Sequence, residues 1–176
     1  MPRYFALFTL MFAVSGVACS TPSATNEPAG GAAASAAAPA PTAPAAPVHD
    51  GRAIEITGND TMKFSVTEIV AKPGEKLSVT LVNVGTTPKF SMGHNWVLLG
   101  DMADIQPFLL AAADAVTTEY VPPAQKARVL ASTKLLGPTD RDTVTFTAPT
   151  TPGRYQFLCS FPGHYQVGMR GVLIVQ

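Results

Sequence analysis

The chain has 176 residues, with twelve lysines and arginines balanced by twelve aspartates and glutamates, so its formal net charge is zero. That length accommodates one globular core plus appended segments rather than two full domains. With 14% charged residues and no basic run, it lacks the electrostatic footprint of a nucleic-acid-binding protein, and that class is excluded.

Residues 1–18 have the pattern of a secretion signal: Arg3, an uncharged apolar run from Tyr4 to Val14, then small residues up to Ala18. The run falls short of the ~20 apolar residues a transmembrane helix needs. Gly16-Val17-Ala18 before Cys19 is similar to a bacterial lipoprotein cleavage site, although Leu is more usual where Gly16 stands. Cys19 is therefore expected to be lipidated, which would anchor the exported chain to a membrane. Residues 19–49 are dominated by Ala and Pro, with Glu27 the only formally charged side chain. Such a stretch cannot bury enough apolar surface to offset its ordering entropy, so it is expected to be a disordered tether with a coil span of roughly 30 Å. His49, at its end, reads as a solvated surface residue.

From residue 50 the texture changes to short β-type runs separated by turn residues, at 53–57, 62–66, 76–84, 95–99, 128–131, 143–147, 155–159 and 171–175. Lys72-Pro73-Gly74-Glu75 and Thr151-Pro152-Gly153-Arg154 each place Pro then Gly at the central positions of a type II turn. Between the fourth and fifth runs, Ile105, Phe108, Leu109, Ala112 and Val116 recur at helical spacing and predict about three helical turns packed against the sheet. Residues 50–176 are thus expected to form one all-β domain, an antiparallel sandwich or barrel of about eight strands with a short helical insertion.

The segment that carries chemistry is Cys159-Ser160-Phe161-Pro162-Gly163-His164-Tyr165-Gln166-Val167-Gly168-Met169. It puts a thiol, an imidazole and a thioether on one loop between two predicted strands. Upstream, Ser91-Met92-Gly93-His94-Asn95-Trp96 supplies a second imidazole. Taken singly, each has an ordinary explanation: His94 as a hydrogen-bonded core histidine, Cys159 as an inert buried thiol, Met169 as core filling. Together, two His, one Cys and a weak axial Met make up the ligand set of a type 1 copper site. A disulfide between the only two cysteines is disfavoured, since Cys19 adjoins the tether and Cys159 lies within the ligand run.

The likeness extends beyond the ligands. Residues 91–98, 128–137, 142–146 and 159–164 resemble azurin, a cupredoxin, and the resemblance covers most of residues 53–176. It implies a Greek-key β-sandwich with a helical flap. It also implies that Gly93 offers its backbone carbonyl weakly toward the metal, and that Asn95 braces the ligand loop and the Cys159 thiolate by hydrogen bonds. Azurins have three residues between the loop His and the Met, whereas four separate His164 from Met169 here. That longer loop, with the tether, is more similar to auracyanin and is expected to favour closer approach by Met169. Azurin's disulfide has no counterpart.

These features predict a periplasmic or membrane-tethered carrier of single electrons that uses one copper ion and transforms no substrate. Its expected partners are redox proteins such as c-type cytochromes or an oxidase or reductase, and the domain is expected to be monomeric. No Asp, Glu, Lys or Arg occurs in 90–100 or 155–169. Met92, Phe161, Pro162 and Gly163 are therefore expected to form an apolar docking patch around His164. The alternative is a copper chaperone or storage protein, which the single well-spaced ligand set disfavours. A copper enzyme with a second metal centre would need further histidines, and the chain has three in all.

Overall fold

The computed structural model describes residues 50–100 and 104–176. The predicted signal, the Cys19 lipidation site, the 19–49 tether and His49 lie outside the described residues. Among the described residues, eight strands form two sheets: β1 (Arg52–Gly58), β2 (Glu68–Ala71), β3 (Lys76–Asn83), β4 (Val97–Leu99), β5 (Val129–Ser132), β6 (Arg141–Thr147), β7 (Gly153–Leu158) and β8 (Arg170–Val175). One sheet has the order β1-β3-β6, and the other β2-β8-β7-β4-β5. Three α-helices punctuate them: α1 (Lys89–Met92), α2 (Gln106–Ala113) and α3 (His164–Val167). None of the described helices is long and apolar enough to cross a membrane.

The sandwich is mixed rather than wholly antiparallel. β1 pairs parallel with β3, and β2 with β8. The β1–β3 pair follows from the chain crossing to the other sheet at β2 and back, which brings it in the same direction beside the strand it left, while β2 is paired only at the end of the chain, by β8. Period-2 alternation fills the space between the sheets with Ile56, Leu77, Val79 and Leu81 from one side and Ile69, Trp96, Leu98, Phe157 and Leu173 from the other. The opposite face of β4 and β7 presents Val97, Leu99 and Leu158, which pack against Ile105, Phe108 and Ala112 of the helical insertion.

Several local expectations need correction. The run at 62–66 is not a strand: Met62 has φ +55° and closes a turn onto the Asn59 carbonyl, so only Phe64 bridges to Gly58. The nearby strand is instead the four-residue β2, too short for its Ile69/Ala71 alternation to stand out. The helix has eight residues, about two turns; the chain then turns into a 3-10 segment, leaving Val116 61% exposed. Lys72-Pro73-Gly74-Glu75 forms its type II turn, with Gly74 at φ +73°. Gly153 does not adopt positive φ; it opens β7 opposite Val175, and the Tyr155 hydroxyl closes the corner by donating to the Thr151 carbonyl at 2.8 Å.

Candidate metal centre

The topology gathers the four sequence-singled residues at one end of the five-stranded sheet. β4 begins where β7 ends, with Val97 opposite Leu158, and β8 begins opposite that same Leu158 through Arg170. His94 precedes β4, Cys159 follows β7, and Met169 precedes β8. His164 opens the intervening turn. All four are buried, none more than 2% exposed.

Backbone hydrogen bonds hold this arrangement. His94 exchanges two with Leu136, at 3.1 and 2.8 Å, which fixes the upstream ligand loop to the β5–β6 connection. Phe161-Pro162-Gly163-His164 is a type II turn, with Gly163 at φ +86° and the His164 N–H donating to the Phe161 carbonyl at 3.2 Å. His164, the last residue of that turn, opens α3 (His164–Val167), which ends in a Schellman motif: Gly168 lies at φ +103°, its N–H donates to Tyr165, and the Met169 N–H donates to His164, both at 2.9 Å. The Cys159 N–H then donates to the Met169 carbonyl at 3.0 Å. Three of the four residues are thereby tied to one another through their own main chain.

Inside this frame, Nδ1 of His94 lies 3.2 Å from Nδ1 of His164, which lies 3.4 Å from Sγ of Cys159. The three donor atoms all fall within 4.8 Å of one another. Such separations suit atoms sharing one first-row metal ion at about 2.0–2.3 Å. With no carboxylate in the cluster, the donor set is soft and matches copper. Met169 packs beside it: a Cβ at Gly58 would lie 2.8 Å from Met169 Cε and 3.4 Å from His94 Cδ2, so Gly58 leaves the room these two side chains occupy.

Burial dominates the electrostatics. It pushes the Cys159 thiol up to about 12, against the opposing hydrogen bonds from the Asn95 and Phe161 backbone. It also lowers His164 to about 4, helped by the neighbouring His94. His94 is lowered by burial as well, with the Asn59 backbone and the Asp60 charge acting the other way. Both imidazoles are thus neutral near pH 7 and able to donate lone pairs, while the thiol holds a proton that a metal must displace.

Gly93 caps the C-terminus of α1 in extended conformation, directly before His94. Asn95 is buried, and its side chain bridges three segments. Its Oδ1 accepts from the Ser160 N–H at 2.9 Å, while its Nδ2 donates to Ser160 Oγ at 2.8 Å and to the Glu119 carbonyl at 3.0 Å. Met92 and Phe161 are partly exposed, Pro162 and Gly163 exposed. A shallow groove between α2 and the loop is lined by Leu109, Leu110, Ala113, Phe161 and Pro162.

Several neighbours of the centre carried no sequence signal. Glu119, at φ +56°, accepts from Lys89 and from the Leu135 N–H. Tyr120 packs edge-on against Phe161 at 4.8 Å, and Phe161 lies 4.6 Å from the His164 ring. Phe90, on α1, is 83% exposed.

A model of the copper binding proteins of the plastocyanin/azurin family matches residues 52–176, and the chain belongs to that family. It is a blue copper electron carrier whose cofactor is one type 1 copper. Within the family it is a cupredoxin of the azurin/auracyanin type. It is 38% identical over 128 residues to azurin from Pseudomonas chlororaphis, covering 70% of this chain and 97% of that one. It is 39% identical over 114 residues to outer membrane protein H.8 of Neisseria gonorrhoeae, covering 64% and 61%. Among solved structures, auracyanin from Roseiflexus castenholzii superposes with a TM-score of 0.63 at 34% identity, covering 70% and 96%.

Proposed function

We propose that this protein is an exported, membrane-tethered shuttle that receives and releases single electrons without transforming a substrate. His94, Cys159 and His164 would be its principal metal ligands, with Met169 as a weaker thioether donor and the Gly93 carbonyl as a further weak contact. The observation that carries this reading is the convergence of two imidazole nitrogens and one thiol sulfur in a buried pocket. Copper, when bound, supplies the Cu(I)/Cu(II) couple. The protein's part is to keep the donors in place in both oxidation states. The Asn95–Ser160 bridge and the α3 turn serve that end, and burial of all four side chains keeps water from the donors.

Partners such as c-type cytochromes, or an oxidase or reductase, would dock through Met92, Phe161, Pro162 and Gly163, of which Phe161 packs against the His164 ring. That surface favours brief contacts without a charge match. Lipidation at Cys19 would place the domain on a leash at a membrane, in the periplasm. The relative named as an outer membrane protein supports membrane association. A chaperone or storage role fits less well, because donors this deeply buried are poorly placed to hand over an ion. Mixing the copper-loaded protein with a reduced c-type cytochrome in a stopped-flow instrument, with a Cu(I) chelator present, tests the reading. One electron should be taken up per protein with copper retained; copper appearing in the chelator on reduction would favour delivery instead.

A further inference from the structure

The turn between His164 and Met169 is held from outside by a lysine that no ligand motif includes. The Schellman motif uses the carbonyls of His164 and Tyr165, but it leaves the last carbonyls of α3 without a main-chain partner. The Lys63 ammonium, 104 residues upstream, donates to the carbonyl of Val167, the last residue of α3. Its Nζ also lies 2.7 Å from where a Cβ on Gly168 would stand, so the group sits directly on the residue that makes the left-handed turn.

Lys63 is itself held in place. It belongs to the 59–67 connection, which is pinned on one side by the Gly58–Phe64 bridge and by burial of Phe64, and on the other by the Val172 N–H donating to Thr67 at 2.9 Å. Met62, one residue before, packs against the core. The same connection starts at Gly58, against Met169 and His94. One segment therefore touches the centre twice, once at Gly58 and once through Lys63. A cation at a helix C-terminus also complements the partial negative charge of the orphan carbonyls.

We propose that Lys63 is a positioning residue of the metal centre, its ammonium clamping the Val167 carbonyl so that the four-residue turn holds His164 and Met169 at a fixed separation. The proposal rests on the ligand reading above, in which Met169 would be a weaker donor to the metal.

The test begins with metal-free protein, where the ligand assignment plays no part. Amide hydrogen exchange at Gly168 and Met169 should be about three- to tenfold faster in Lys63→Met, the effect of losing one net hydrogen bond, and should return toward wild type in Lys63→Arg, which keeps a cationic donor. In copper-loaded protein, Lys63→Met should alter the electron paramagnetic resonance parameters and the relative intensities of the visible charge-transfer bands, and Lys63→Arg should restore them. Unchanged exchange in Lys63→Met, or equal acceleration in both variants, would overturn the clamp. If wild-type protein binds no copper, the ligand reading fails while the exchange data still decide the role of Lys63.

Discussion

Replacing Asn95 with Leu isolates the bridge between the two ligand loops. The substitution removes the acceptor of the Ser160 N–H and the donor to the Glu119 carbonyl, leaving two backbone groups unpaired in or beside the core. At about 1–3 kcal/mol for each buried group left without a partner, the loss is about 2–6 kcal/mol, a large share of the ~5–15 kcal/mol that stabilises a typical domain. Ser160→Ala is the internal control, because it removes only the hydroxyl and spares both backbone bonds; its cost should be about 1 kcal/mol. Urea unfolding of the metal-free protein measures both. Trp96 is the chain's only tryptophan and fully buried, with its Nε1 unpartnered, so its emission should shift strongly to the red on unfolding. A loss below 1 kcal/mol for Asn95→Leu, or one no larger than for Ser160→Ala, would refute the bridge.

Acid should weaken the metal-free protein in a defined window. The folded-state pKa of His164, about 4, lies below the ordinary 6.5, so between those values the unfolded chain binds a proton that the folded one does not. Stability is then level above pH 6.5 and declines as pH falls toward 4, by at most on the order of 3 kcal/mol at about 1.4 kcal/mol per unit of pKa difference; a flat urea midpoint across that window would contradict the burial of His164. Copper uptake at pH 7 should release one proton, from the Cys159 thiol held up near 12, since both imidazoles are already neutral. Calorimetry in buffers of different ionisation enthalpy counts that proton, and a count of zero or two would contradict it. Met92→Lys, on the partly exposed residue two before His94, should slow exchange with the physiological partner and leave the visible spectrum intact; unchanged kinetics would remove Met92 from the docking surface.

The metal centre was more legible in the sequence than the strands around it. Cys159, His164 and Met169 lie within eleven residues, and their chemistry is unusual enough that spacing alone singles them out, while His94 follows as the remaining core-adjacent histidine. Two strands were also legible, β3 from its alternation Leu77-Ser78-Val79-Thr80-Leu81 and β8 from its apolar run Val172-Leu173-Ile174-Val175. β2 was not, being four residues with two buried side chains. The 62–66 run misled because its apolar side chains do enter the core, but from a turn at Met62 rather than a strand. Parallel pairing could not be read at all, since it depends on where the chain crosses between sheets. The same Pro-Gly signal gives a type II turn at Gly74 and Gly163 but not at Gly153, where pairing with Val175 overrides the local preference. Lys63, Glu119 and Gly58 act through distant contacts, and no local pattern marks them.

The account stands or falls most directly on the visible spectrum of the purified, copper-loaded protein. Thiolate coordination by Cys159 predicts intense blue absorption from sulfur-to-copper charge transfer, stoichiometric with bound copper and abolished in Cys159→Ser. A colourless copper complex, or a colour that persists in Cys159→Ser, would contradict it.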